Sequence, residues 1–126
     1  MGMLAIGVGS VEGASILAGE PLSISMPQVM GVYVSGQLSE WVSAKDVILT
    51  LLGRHGVKGA LNCIIEYYGP GLASLTAMDR HVIANMGTEL GATSSLFPSD
   101  SQTYAFLLQN GRANDYMPLD LSLIHI

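Results

Sequence analysis

The sequence predicts an α/β domain in which helices pack on a sheet. Short apolar segments typical of buried strands alternate with segments whose apolar residues recur at helical spacing. Capping residues precede several of the helical segments, and glycine or proline follows most elements. The 126 residues provide enough chain for one domain of ordinary size. The composition, with 49% hydrophobic and 12% charged residues, excludes a disordered protein.

The N-terminal part of the chain predicts one helix followed by extended segments. Ser10 is a candidate N-cap, and Gly19 lies just past the expected end of that helix. Residues 22–26 and 29–35 have the composition of strands and are separated by Pro27. We place a domain boundary near this proline, since it interrupts the extended segments; the segment before it is too short to fold alone.

Helices and strands alternate from Ser43 onward. Ser43 as cap, with Asp46 in the first turn, predicts a helix that Gly53 and Gly56 close. The apolar run within 60–68 suits a buried strand. This order favours an α/β layer with helices packed on a sheet.

The second half of the chain continues the same alternation. After a Gly-Pro-Gly turn at 69–71, Thr76 caps a helix predicted to run to about Leu90, with Gly91 as its stop. Residues 92–97 form a further strand candidate. Ser99 or Asp100 then caps a last helix that ends near residues 110–111.

The helix predicted after Thr76 carries two rows of residues at four-residue steps. Asn85 and Glu89 form a polar ridge beside an apolar stripe, which we expect to be buried and which consists of Met78, Val82, Met86 and Leu90. Burying the Glu89 carboxylate costs several kcal/mol unless a cation, a donor or a proton compensates it. Periodicity alone favours a solvated Glu89 at the rim of the core, with a functional carboxylate as the alternative.

Other motifs give weaker signals. Gly7-Val8-Gly9 before a helix start is typical of anion-binding turns, but a third glycine is missing, so close packing is favoured over nucleotide binding. The three histidines show no metal-binding spacing, and we expect no metal site; they are His55, His81 and His125.

Single nucleophilic side chains are also expected to be structural. Cys63 is the only cysteine, lies in an apolar segment and is typical of an inert buried thiol. Ser94 and Ser95 lack the glycines of a nucleophile elbow, so strand or loop positions are favoured.

The charge balance excludes several classes of partner. Five Lys and Arg residues against ten Asp and Glu residues give a net charge of -5, which argues against nucleic-acid binding. The apolar start has no basic region typical of a signal peptide, and no apolar run is long enough to span a bilayer, so we expect no membrane partner. A reducing compartment suits the lone cysteine.

Several segments, in order and at matching spacing, resemble the iron–sulfur part of the aconitase family over about residues 1–111. They are 4–9 (LAIGVG), 43–50 (SAKDVILT), 57–59 (VKG), 64–71 (IIEYYGPG) and 85–98 (NMGTELGATSSLFP). The related 3-isopropylmalate dehydratases and homoaconitases share the Lys45-Asp46 and Asn85-Met86 regions. The segments 66–71 and 91–95 look more like aconitase itself.

The resemblance implies a three-layer α/β/α iron–sulfur domain that is incomplete here. Residues 1–27 would be the tail of the first aconitase domain and residues 28–120 most of the second. The implied activity is the reversible conversion of citrate to isocitrate through cis-aconitate, on a [4Fe–4S] cluster held by three cysteines. Asn85 matches the asparagine that hydrogen-bonds near the cluster, and Glu89 matches the carboxylate that handles the iron-bound water. With this resemblance, a functional Glu89 becomes the favoured interpretation.

The chain also departs from the family pattern. An Asp-Ser-His motif is expected before Met1, and Ser10-Val11-Glu12 replaces the usual Gly-Ala-Asp. The cluster cysteines, the substrate-binding arginines and the catalytic serine are expected beyond Asp120, and Cys63 is not at a ligand position. Five scattered cations cannot clamp a tricarboxylate; they are Lys45, Arg54, Lys58, Arg80 and Arg112.

We therefore interpret the chain as a fragment of an aconitate hydratase that is inactive alone, binds no cluster and packs against the remaining aconitase domains in the parent enzyme. Residues 121–126 look like a translated sequencing adapter, with a natural C-terminal strand as the alternative. The alternative functions are a 3-isopropylmalate dehydratase or homoaconitase fragment and a non-catalytic α/β binding module. The expected location is the cytoplasm, as in bacteria, or the mitochondrial matrix.

Overall fold

The structure is a computed structural model that describes residues 5–119. Within them lie three strands, β1 (Gln28–Tyr33), β2 (Cys63–Tyr68) and β3 (Ser94–Leu96). The α-helices of these residues are α1 (Ser10–Leu17), α2 (Ala44–His55), α3 (Ala77–Asn85) and α4 (Ser101–Gln109). Short 3₁₀ helices cover Pro70–Ser74, Met86–Leu90 and Ala113–Asp115. The six residues interpreted as adapter-derived lie outside the described part.

The three strands form one parallel sheet in the order β1-β2-β3. The register pairs Gln28 with Cys63 and Ile64 with Ser94. Parallel neighbours require a crossover connection, and α2 and α3 provide the two crossovers. The predicted α/β class is confirmed.

The hydrophobic core lies on one face of this sheet. Ile65 and Tyr67 of β2 are buried there against Ile48 of α2 and Ile83 of α3. Side chains alternate along a strand, so every second residue of β1 packs against the core. The other residues of β1 point to the opposite face. There Val29 is 49% exposed and Tyr33 is 60% exposed. The helices α2 and α3 therefore form one helical layer of the predicted architecture.

Capping chemistry sets the starts of three helices as predicted. Ser43 and Asp46 form a capping box at α2, in which the Asp46 carboxylate accepts a 2.8 Å bond from the Ser43 backbone N–H. This backbone bond, followed by the bond from the Ser43 hydroxyl, lowers the pKa of Asp46. Thr76 forms a second box at α3. Asp100 caps α4 by accepting from the backbone N–H of Gln102 at 3.0 Å.

Three local predictions were wrong. The N-cap of α1 is Gly9, because Ser10 already has helical geometry. The helix α2 ends at His55 with Gly56 as its C-cap, as predicted, but it continues through Gly53, since a glycine inside a helix only weakens it. Residues 22–26 form no strand, because no strand lies beside them to pair with, and Met26 is 90% exposed.

The predicted buried stripe on the helix after Thr76 is confirmed in part. Leu90 is buried, and Val82 and Met86 are partly buried against the core. Met78 is 53% exposed, because α3 turns its Arg80 side inward and buries Ala77, Arg80 and Ile83. Sequence patterns predict arginine to be exposed to solvent, and the hydrogen-bond partners of Arg80 are distant in the sequence.

Arg80 is fully buried and donates to four acceptor oxygens. Its guanidinium binds Asp100 in a bidentate manner, with N···O distances of 2.6 and 2.9 Å. It also donates to the carbonyl of Leu72 at 2.7 Å and to the carbonyl of Pro98 at 3.3 Å. The guanidinium carbon lies 6.0 Å from the centre of the Phe97 ring, within reach of a cation–π contact.

The same ion pair shifts the titration of Asp100. Partial burial alone would raise the pKa of its carboxyl, but the hydrogen bonds and charge of Arg80 outweigh burial and lower it. The folded pKa therefore lies below the unfolded one. The stabilisation is complete above the unfolded pKa and is lost as the pH falls through the folded pKa.

No helix among residues 5–119 is long and apolar enough to cross a membrane. The longest, α2, has 12 residues, well short of the roughly 20 that a bilayer requires.

We predict that Asp100→Asn lowers the free energy of unfolding by about 3 kcal/mol, because it leaves a buried guanidinium without its counter-charge while keeping a competent N-cap. Urea denaturation measures the change. Asp115→Asn is the matched control: it removes the exposed partner of Arg112 and should cost less than about 1 kcal/mol. Equal effects of the two substitutions would contradict the assigned role of Arg80.

Candidate functional site

A cleft of about 290 Å³ lies between the N-terminal segment, the end of α3 and the start of β3. Its lining residues are mainly small or neutral polar ones, namely Ala5, Ile6, Gly7, His81, Ala84, Asn85, Gly87, Thr88, Ala92, Thr93, Ser94 and Ser95. Hydroxyls and one carboxamide thus lie among small apolar residues around this space, and a few polar groups in a largely apolar lining are typical of a ligand site.

Two contacts build this cleft from distant parts of the chain. The Ser94 hydroxyl donates to the carbonyl of Ala5 at 2.6 Å, which ties the N-terminal segment to β3. A Cβ atom on Gly7 would lie 3.3 Å from a methyl carbon of Thr88, so glycine permits the close approach. The Gly-Val-Gly motif therefore has the packing role that the sequence favoured at Gly7.

Asn85 and Glu89 occupy different parts of the site. Asn85 is the last residue of α3, is exposed and lines the cleft. Glu89 lies on the following 3₁₀ helix, is exposed, and accepts a 3.0 Å bond from the Thr88 hydroxyl. The prediction of one polar ridge on a continuous helix was wrong, because the tighter 3₁₀ turn changes the angular spacing after Asn85. Glu89 stands next to a lining residue without lining the cleft itself.

Two buried hydroxyls without partners, one of them on a lining residue of the cleft, were not predicted from the sequence. The oxygens of Tyr67 and Ser95 have no hydrogen-bond partner among the described residues. Burial raises the pKa of Tyr67 to about 12, and the nearby Ser95 hydroxyl offsets only part of that rise. The Tyr67 ring stacks on Phe97 with centroids 4.5 Å apart, so packing holds the residue in place.

The structure assembles no metal site from residues 5–119. No group of three His, Cys, Asp or Glu side chains comes together there. His55 lies on α2 and His81 on α3, while His125 is outside the described residues. Cys63 begins β2, and its thiol contacts the carbonyl of Leu61 at 3.5 Å.

A larger cavity, of about 500 Å³, lies at the carboxyl end of β1 against α2. This edge of an open parallel sheet often binds ligands. Its lining includes Arg54, Thr50 and Ser35 among valines and leucines, but neither Asn85 nor Glu89. The smaller cleft is the better candidate because the predicted Asn85 lies there together with several other polar groups.

The chain matches known proteins along most of its length. A family model described as "Aconitase family (aconitate hydratase)" matches residues 1–120. The mitochondrial aconitate hydratase of Aspergillus fumigatus is 44% identical over 107 residues, which are 85% of this chain and 14% of that protein. The enzyme of that name from Schizosaccharomyces pombe is 42% identical over 113 residues, 90% of this chain and 14% of the relative.

The similarity extends to a third fungus. The mitochondrial aconitate hydratase of Saccharomyces cerevisiae is 40% identical over 112 residues, which are 89% of this chain. That match again covers 14% of the relative. The chain thus spans only a small part of the length of the curated relatives it matches.

We predict that Tyr67→Phe changes the free energy of unfolding by less than about 1 kcal/mol or stabilises the fold, because the hydroxyl it removes is buried and unpaired. Ile65→Ala, on the same strand and face, is the control and should cost about 2–5 kcal/mol. Both values come from urea denaturation. A loss above about 2 kcal/mol for Tyr67→Phe would show that the hydroxyl is satisfied, by Ser95 or by a bound group.

Proposed function

The chain belongs to the aconitase family, and we propose that it is part of an aconitate hydratase, which interconverts citrate and isocitrate through cis-aconitate. The match of the family model to residues 1–120 carries this proposal. The relatives described above are aconitate hydratases by name, which favours citrate as the substrate over isopropylmalate or homocitrate.

The [4Fe–4S] cluster expected for this family does not fit the residues of this chain. Three thiolates are needed to hold it, and the sequence contains the single cysteine Cys63. Residues 5–119 also bring no three potential metal ligands together. In this proposal the cluster is bound by cysteines of the remaining polypeptide, and this chain contributes a wall of the substrate site.

Asn85 and Glu89 are the proposed catalytic residues of that wall. The Asn85 carboxamide, exposed at the cleft, can both donate and accept hydrogen bonds, and we place it beside the cluster and substrate. The Glu89 carboxylate is solvent-accessible and oriented by Thr88. This position suits the exchange of a proton with the water that the substrate loses or gains.

The exposed apolar residues of this chain support the proposal that other domains of the same polypeptide pack against it. Trp41 is 95% exposed, and Val29 and Tyr33 lie on the open face of the sheet. Such side chains are normally covered in a stable protein, and we propose that the other aconitase domains cover them. The relatives are named as mitochondrial, and we propose the mitochondrial matrix as the location.

Recovering the complete gene tests the proposed function. We expect the natural reading frame to encode three cysteines beyond this segment, and the complete, cluster-loaded protein to turn over citrate and not isopropylmalate. Turnover of isopropylmalate alone would assign the protein to the related dehydratases. A frame without further cysteines would leave only a binding module.

In the complete enzyme, Glu89→Gln should lower kcat by about 10²- to 10⁴-fold, the usual loss when a general acid–base group is removed. The absorption of the cluster should be unchanged, because Glu89 lies on the surface of this segment. Glu20→Gln, at another exposed carboxylate, is the control and should leave kcat unchanged. An unaltered kcat for Glu89→Gln would remove Glu89 from the site.

A further inference from the structure

We propose that His81 binds a carboxylate of the substrate and supplies the positive charge of the cleft. This inference rests on the proposed function, since it assumes that an anionic tricarboxylate occupies the site. Sequence reasoning considered His81 only as a metal ligand. Its place in the structure gives it a different use.

The described cleft contains no lysine or arginine among its lining residues. Arg80 is bound to Asp100, Arg112 is paired with Asp115, and Arg54 lines the larger cavity. The remaining two cations, Lys45 and Lys58, are exposed and do not line the cleft. His81 is the one lining residue of the described part of the chain whose side chain can become a cation.

His81 and Asn85 lie on the same side of α3. Residues four apart on a helix are neighbours, separated by about 6 Å along the axis. Both side chains are exposed, and both line the cleft. One small tricarboxylate can therefore contact the imidazole with one carboxylate and the carboxamide with another.

The acidic groups near His81 do not occupy the cleft. No Asp or Glu is among its described lining residues. On the same helix, Asp79 accepts the capping bonds of Thr76. On the elements packed against α3, Asp100 is bound to Arg80, Asp46 caps α2 and Glu89 accepts from Thr88. The cleft is thus open to an external carboxylate rather than filled by an internal one.

Kinetics of the complete, cluster-loaded enzyme test this inference. His81→Gln should raise the KM for citrate roughly tenfold, the usual loss for a hydrogen bond to a charged group, with kcat little changed. His81→Lys should restore KM to within about threefold, because it keeps a cationic donor. Met78→Gln is the control and should leave the KM for citrate unchanged. Met78 lies on α3, is 53% exposed and does not line the cleft.

The outcomes separate this inference from the proposed function. Normal citrate turnover with an unchanged KM in His81→Gln overturns the role of His81 and leaves the proposed function intact. A raised KM that His81→Lys does not restore overturns the charge-based role. Absence of citrate turnover in the unsubstituted enzyme overturns the proposed function and this inference together. Cluster absorption, compared among the variants, shows whether each one is folded.

Discussion

One buried cation determines how the second half of the domain is arranged. Arg80 is fully buried, so its charge must be compensated inside the protein. Its acceptors come from the turn after β2, the loop after β3 and the cap of α4, which join at this one side chain. Asp100 also caps α4. The same carboxylate therefore fixes the start of α4 and compensates the buried charge of Arg80 on α3. Moving any of these elements would leave a charge or a carbonyl unpaired.

The candidate site inherits its geometry from this arrangement. With α3 held at Arg80, its last turn places His81 and Asn85 along one side of the cleft. The chain then tightens into a 3₁₀ helix whose end is held by a 2.9 Å bond from the Ala60 N–H to the carbonyl of Leu90. Gly91, at a φ of 85°, closes the turn in the left-handed region that favours glycine. The cleft is therefore supported by the Arg80 side chain before Asn85 and by a backbone hydrogen bond after it.

Local signals predicted most elements but not the site. Capping residues such as Ser43 and Thr76 act within one turn, so the sequence alone places them. The burial of Arg80 depends on Asp100, and the cleft depends on a bond between Ala5 and Ser94. Such pairings depend on the fold, and no local pattern encodes them. The family resemblance gave Asn85 and Glu89 as candidates. Their different positions relative to the cleft follow from the change from α to 3₁₀ geometry after Asn85, which the sequence did not predict.

Under the proposed function, the charges of this chain leave part of the substrate binding to the remaining polypeptide. A net charge of -5 repels an anionic substrate at long range, and within the described cleft only His81 can oppose that charge. One imidazolium cannot balance the three carboxylates of the proposed substrate in a partly enclosed space, so the proposal requires further cations from the remaining polypeptide. The exposed apolar surface also supports a contact with further polypeptide. Trp41 is almost wholly exposed. Its backbone has a φ of 68°, which is a strained conformation for a bulky residue. A backbone held in this way, with an indole directed outward, fits a contact with the domains that would carry those cations and the cluster.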